Sequence, residues 1–140
     1  MANTKKIVDA LNEARARELA VVIQYMIQHY TAQGMESLPV IDMFKSIAIT
    51  EMKHAESLGE RIDYLGGTPT KEPKPIKPGE TVTEMIKLDL KAEEDGIALY
   101  RDIIKLCDKE GDVTSRRMME DLLIDEEGHR NDFLTALGRK

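Results

Sequence analysis

The sequence predicts an all-α fold, a four-helix bundle with a long crossover between its second and third helices. Three observations carry that expectation. Apolar residues recur at spacings of three and four through four long stretches, with Gly and Pro collected between them. The second and third stretches are separated by a segment holding Pro69, Pro73, Pro75 and Pro78, longer than a tight hairpin needs. A Glu followed 33 positions later by Glu-x-x-His occurs twice, as Glu18 with Glu51 and His54 and as Glu93 with Glu126 and His129, the copies offset by 75 positions.

The first helix is expected over residues 4–33, with Asn3 or Thr4 as its cap and Gly34 closing it. Its apolar stripe is Ile7, Leu11, Ala14, Val21, Val22 and Tyr25, and Glu18 falls on that stripe. A carboxylate on a core face is costly unless something pairs with it. The second helix is expected over 38–65, with Pro39 tolerated in its first turn and Gly66-Gly67 ending it. Val40, Phe44, Ile47, Leu58, Ile62 and Leu65 form its stripe, which Glu51 and His54 continue without a break.

Residues 67–80 cannot be helical with four prolines among them. Extended, such a segment reaches about 45 Å, close to the length of a helix of about 28 residues. It is therefore expected to run along the bundle and set the third helix parallel to the second. Thr81-Val82-Thr83-Glu84 is a capping box opening a third helix over 81–108 that stops at Gly111. Its stripe of Ile86, Leu90, Ile97, Tyr100, Ile104 and Cys107 admits Glu93 and turns Glu94 about 100° away. The fourth helix is expected over 113–137, where Met119, Leu122, Phe133 and Leu137 enclose Glu126 and His129. The 140 residues are read as a single domain, 1–140.

A third of the residues are charged, the net charge is −6 and there is no Trp. That balance argues against nucleic acid, which asks for a basic face. No run approaches the roughly 18 apolar residues of a membrane span, and Met1-Ala2-Asn3-Thr4-Lys5 does not read as a signal peptide. Cys107, the single cysteine, cannot form an intrachain disulfide, so a reducing cytoplasmic setting is expected.

Glu and His three apart on a helix share one face. Four Glu and two His drawn from four helices form the ligand set of a carboxylate-bridged di-iron or di-manganese bundle. Two divalent ions would balance four carboxylates, whereas four buried carboxylates without counter-charge would cost several kcal/mol per ion. Oxygen and nitrogen donors without thiolate suit iron or manganese. Glu51 and Glu126 are the natural bridges, Glu18 and Glu93 the terminal ligands, with His54 on one ion and His129 on the other. Asp125, four before His129, is expected to orient that ring's second nitrogen, with Thr50 in the matching place before His54. A lone Glu-x-x-His is common on surface helices; six residues in register on four core stripes are not. A second apolar stripe, Leu19, Ile23 and Met26 with Ile49 and Met52, would be exposed in a monomer, and an isologous dimer would cover it.

At these residues the chain resembles the bacterioferritins over nearly its full length. The segments Glu-Leu-Ala-Val-Val-Ile-Gln-Tyr (18–25), Glu-Met-Lys-His-Ala (51–55) and Asp-Glu-Glu-Gly-His (125–129) are similar to the family's own. The resemblance implies a ferritin-like four-helix bundle holding two Fe ions per subunit on Glu18, Glu51, His54, Glu93, Glu126 and His129. It implies a ferroxidase that oxidises Fe²⁺ with O₂ or H₂O₂ for iron storage and detoxification, with Tyr25 as the nearby redox-active tyrosine. It also implies a haem at a two-fold interface, Met52 as its axial ligand and Leu19, Ile23, Met26 and Ile49 about it. The implied assembly is a cytoplasmic homo-oligomer of two-fold dimers, served by a ferredoxin-type reductant.

Two departures stand out. Members of the family usually carry a short fifth helix, whereas this sequence ends three residues after Leu137, so a smaller assembly is expected, a dodecamer as in short bacterioferritins or a bare dimer. Ser46, Ile47 and Thr50 stand where the family has groups for an inner iron site, so that route is expected to be absent. His29, one turn beyond Tyr25, is expected to be a packed core residue. The alternatives are a rubrerythrin-like di-iron peroxidase that does not mineralise and a non-catalytic metal-binding bundle. A single cysteine rules out an added four-cysteine domain.

Overall fold

The computed structural model describes residues 3–139, so Met1, Ala2 and Lys140 of the expected 1–140 domain lie outside it. Four helices account for most of the chain: α1 (Thr4–Thr31), α2 (Ile41–Tyr64), α3 (Val82–Glu110) and α4 (Val113–Leu137). No strand occurs among the described residues. None of the helices is long and apolar enough to cross a membrane.

The helix ends follow local hydrogen-bonding needs. Asn3 caps α1 by accepting from the Lys6 N–H. The helix stops at Thr31, two residues before the expected end, because Ala32 already turns to an extended conformation. A short 3₁₀ turn, Met35–Ser37, follows, and its bonds take the place of the expected first turn of α2. Pro39 therefore precedes α2 instead of lying inside it. At the far end of α2 the Gly67 N–H reaches Ile62 O at 2.9 Å, with Gly66 at φ +86°, a closure only glycine makes without strain.

Thr81 caps α3 as the capping box requires, but Glu84 returns its bond to the Glu80 N–H and not to Thr81. Helix α3 runs two residues past the expected 108 before Gly111 adopts the left-handed conformation that ends it. Asp112 then caps α4 at once, accepting from the Ser115 N–H.

The crossover, residues 67–80, lies along α1. Asn12 bonds to Thr68 and Thr70, Ala16 O accepts from Lys74, Gln24 accepts from Lys77, and Gln28 donates to Pro78. Both partners advance together, so the segment runs parallel to α1 and delivers α3 to the end of the bundle where α2 began. Helix α3 is thus parallel to α2 and antiparallel to α1, with Gln28 opposite Asp89 and Arg17 opposite Tyr100. Helix α4 returns antiparallel to α3, with Arg116 beside Asp108 and Arg130 beside Glu94.

The interior is layered. One apolar cluster, around Tyr25, Phe44, Met85 and Phe133, fills the end where α2 and α3 begin. Another, around Leu11, Leu58, Tyr100, Cys107 and Met119, fills the opposite end. Between them lies a buried polar layer built from all four helices.

Candidate metal centre

The polar layer contains the six residues that the repeated pattern singled out. Glu18, Glu51, Glu93 and Glu126 have no exposed surface, and His54 and His129 are buried beside them. Each sits mid-helix, where the apolar stripe turns its side chain to the axis of the bundle. Ligand atoms of Glu18, Glu51, His54 and Glu126 lie within 4.8 Å of one another, as do those of Glu51, Glu93, Glu126 and His129. Glu51 and Glu126 belong to both groups.

Each group has one imidazole. His54 Nδ1 is 2.9 Å from Glu18 Oε2 and 3.1 Å from Glu51 Oε1. His129 Nδ1 lies 3.5 Å from Glu93 Oε1 and 3.6 Å from both Glu51 Oε1 and Glu126 Oε1.

Sequence reasoning missed Arg17. This side chain is buried at the centre of the layer and its guanidinium reaches all four carboxylates. Nη1 is 3.4 Å from Glu18 Oε1 and from Glu51 Oε2 and contacts Glu126 Oε2; Nη2 is 3.2 Å from Glu93 Oε2. The group also lies over the Tyr100 ring, 5.5 Å from its centroid, and donates to the Tyr100 hydroxyl. A signal was present: Arg17 shares the core stripe with Glu18, three after Ala14 and four before Val21.

The electrostatics follow from four acids sharing a dry volume. Burial and then the neighbouring carboxylates push Glu51 and Glu93 well above the usual carboxylate range. Burial works in the same direction on Glu126, but the Arg17 guanidinium against it outweighs burial and holds it well below that range. Burial alone would lower His54, yet the surrounding carboxylates of Glu126, Glu18 and Glu51 raise it far above an ordinary imidazole. For His129 burial prevails and its pKa falls. The Tyr25 hydroxyl donates to Glu93 Oε1 at 2.9 Å, and burial with that carboxylate raises its pKa.

The donor set fits a pair of divalent ions. Glu51 Oε1, Glu126 Oε1 and His129 Nδ1 are buried without a hydrogen-bond partner among protein groups, and they converge on one another. Buried polar atoms rarely remain unpaired, and converging oxygen and nitrogen lone pairs are what a hard or borderline cation takes up. No thiolate is near, because Cys107 is in the apolar cluster at one end.

Two expected outer contacts differ. Asp125 accepts from His54 Nε2 at 2.8 Å, across the bundle on α2, and not from His129 on its own helix. Thr50 donates to Ser46 O in its own helix and is not a partner of His54. Glu94 lies outside the layer, paired with Arg130. His29 Nδ1 is 2.6 Å from Ile41 O and ties the end of α1 to the start of α2. Of the second stripe, Ile23, Ile49 and Met52 are exposed, with Met52 at 54%, while Leu19 and Met26 are half-buried.

A four-helix bundle with a long crossover and a dinuclear carboxylate–histidine centre at its mid-plane defines the ferritin-like class of proteins. Residues 8–139 match the family described as the ferritin-like domain, and the chain belongs to that family. Within it the chain is a relative of the bacterioferritins. It is 39% identical to the bacterioferritin of Desulfovibrio desulfuricans over 126 residues, 89% of this chain and 70% of that one. The crystal structure of D. desulfuricans bacterioferritin, described with its di-iron site in different catalytic states, superposes with a TM-score of 0.89 at 34% identity, covering 94% of this chain and 78% of that one. The bacterioferritin of Rhodobacter capsulatus, described with a metal-free dinuclear site and a haem iron in a crystallographic special position, gives 0.87 at 30% identity over 96% and 85% of the chains. At the level of the family this is iron-storage and ferroxidase architecture.

Proposed function

We propose that the chain is a ferroxidase that oxidises Fe²⁺ with O₂ or H₂O₂ for iron storage and detoxification. One observation carries the reading: two four-residue ligand groups share Glu51 and Glu126, and unpaired buried donors lie between them. Glu18 and His54 would complete one ion position and Glu93 and His129 the other, with Glu51 and Glu126 shared between them.

Two bound Fe ions would supply the redox chemistry by passing electrons to the oxidant. The rest is done by the chain. The four carboxylates would neutralise two divalent charges in a buried layer between the two apolar clusters. Asp125 orients His54. Tyr25 can yield an electron to the oxidant while its hydroxyl proton passes to Glu93 Oε1, the acceptor it already holds.

The exposed stripe of Ile23, Ile49 and Met52, flanked by Leu19 and Met26, suits a two-fold partner of the same chain. A haem ligated by Met52 from each copy would sit in that interface, in keeping with the haem iron named for the R. capsulatus relative. The reading places the chain in a homo-oligomer of such dimers, a dodecamer or larger shell, working in the cytoplasm with a ferredoxin-type reductant.

The deciding experiment adds Fe²⁺ to metal-free protein in air and follows the ferric–oxo absorbance. Growth well beyond two Fe per chain is expected. Saturation at two would mean a rubrerythrin-like peroxidase, and no response would remove the ferroxidase altogether. A Soret band lost in Met52→Leu tests the haem.

A further inference from the structure

Arg17 holds one oxygen of each carboxylate, Glu18 Oε1, Glu51 Oε2, Glu126 Oε2 and Glu93 Oε2, while the histidines face the other oxygen of each; a bridge through Glu51 and Glu126 would need both of their oxygens. The two terminal nitrogens of Arg17 touch all four carboxylates, with Nη1 on Glu18, Glu51 and Glu126 and Nη2 on Glu93. Metal–carboxylate bonds are about 2 Å long, so divalent ions on those oxygens leave no room for a guanidinium among them. The charges are also redundant, since two divalent ions balance four carboxylates without it.

Three further observations describe the seat. First, Arg17 Nε is buried without a partner, so the pose is not a fully satisfied structural ion pair. Second, Gly96 on α3 makes the room: a Cβ there would lie 2.5 Å from Arg17 Cζ and 2.6 Å from Nε. Third, the half-site repeat is broken at these positions. The counterpart of Arg17, 75 positions on, is Ala92, and the counterpart of Gly96, 75 positions back, is Val21. The first copy therefore supplies the cation and the second supplies the gap that admits it.

There is also a way out. A cavity of about 310 Å³ opens between α1, α3 and the crossover, and Arg17 forms part of its wall. Glu13 and Asp95 stand at its rim, both exposed and paired with Lys74 and Lys91, and a guanidinium that leaves the centre can exchange with those lysines for their carboxylates.

We propose that Arg17 is a displaceable internal counter-ion, which holds the carboxylate cage together in the metal-free protein and moves into the side cavity towards Glu13 and Asp95 when divalent metal binds. The inference rests on the metal-binding reading of the cage given above. Apparent affinity is lowered by the fraction of molecules with the seat cleared. Because one guanidinium spans both ligand groups, the first ion clears the seat for the second, and binding is cooperative.

The test titrates metal-free protein with Co²⁺ by calorimetry and follows thermal unfolding of the metal-free state, for wild type, Arg17→Gln and Gly96→Ala. Wild type is expected to take two Co²⁺ per chain cooperatively. Both variants should bind Co²⁺ roughly tenfold tighter or more, lose the cooperativity and melt at lower temperature without metal. Gly96→Ala keeps the guanidinium but denies it the seat, and it covers the case in which Arg17→Gln fails to fold. Gly→Ala inside a helix ordinarily stabilises, so a fall in melting temperature there reports the clash of the new Cβ with Arg17, and the tighter Co²⁺ binding with lost cooperativity is what separates an unseated guanidinium from overpacking alone. Unchanged affinity in both variants, with two ions still bound, would overturn the proposal and leave the metal cage standing. Co²⁺ binding to Arg17→Gln but not to wild type would make Arg17 a permanent ion pair and overturn displacement. No Co²⁺ on any of the three would remove the cage and the counter-ion together.

Discussion

Asp125 on α4 accepts a hydrogen bond from His54 Nε2 on α2 at 2.8 Å, so the orienting carboxylate of one ligand group is supplied by the helix that carries the other group's histidine. With Nε2 held, Nδ1 is the nitrogen turned to Glu18, Glu51 and Glu126. Outer partners of this kind are worth about 10–100-fold in metal affinity or activity. Asp125→Ala should weaken Co²⁺ or Fe²⁺ binding by at least about tenfold while helix content by circular dichroism stays unchanged. Thr50→Ala should leave binding as it is, since Thr50 bonds only to its own helix. Equal binding by Asp125→Ala and wild type would remove Asp125 from the centre.

The bundle and its cage were largely legible because both are periodic. Glu51 and His54 interrupt the series Ile47–Leu58 without changing its phase, and the same holds for Glu126 and His129 between Leu122 and Phe133. A polar residue kept on a core stripe must be answered inside the bundle, and the matching interval in the second half pointed to the other acids and histidine that the structure brings into the same layer. Asp125 was misassigned because spacing along one helix reports neighbours on that helix and says nothing of which ring lies across the axis. Arg17 was missed for a related reason. Its stripe position was readable, but the place where a long side chain ends depends on Gly96, a residue 79 positions away on another helix.

The Tyr25 hydroxyl gives Glu93 a donor and the Tyr25 ring packs on Phe133, with centroids 5.8 Å apart. Tyr25→Phe keeps the ring and removes the donor. Leaving a buried carboxylate short of a hydrogen bond costs about 1–3 kcal/mol, so the metal-free protein should melt earlier. The kinetic expectation is separate: Fe²⁺ oxidation should slow, and a tyrosyl radical signal after Fe²⁺ and H₂O₂ should vanish from the electron paramagnetic resonance spectrum. Persistence of that radical would move the role to another tyrosine.

Asp112 joins three elements. It caps α4 through the Ser115 N–H at 3.0 Å, accepts from the Ser115 hydroxyl, and pairs with Arg61 Nη2 at 2.9 Å, while Arg61 Nε donates to Ser115. Burial works to raise its pKa, but the Ser115 bonds and Arg61 outweigh that and lower it. A lowered carboxylate adds stability above the unfolded value of about 4, and that contribution is lost as the pH falls below it. Asp112→Ala should cost about 1–2 kcal/mol at neutral pH and less in acid, read as the shift in urea midpoint at each pH. A cost that does not change with pH would mean that only packing was lost.

Asp89 gives the opposite pH dependence. It is fully buried one turn before Glu93, and the Gln24 and Gln28 amides both donate to its Oδ1, at 2.8 and 2.7 Å. Burial pushes its pKa up to about 8, outweighing the two amides. The folded chain therefore holds a proton that the unfolded chain releases near pH 4. Stability from this group is complete below about pH 4 and is lost as the pH rises through about 8, at up to about 1.4 kcal/mol per pH unit. Asp89→Asn keeps an acceptor for the two glutamines and cannot ionise, so its urea midpoint should vary less than that of wild type between pH 5 and 8, approximately the interval set by those two values. Because the neighbouring acids titrate in both proteins, the difference between the two curves isolates Asp89. Parallel curves would mean that Asp89 is ionised in the folded state throughout, with the amides prevailing over burial.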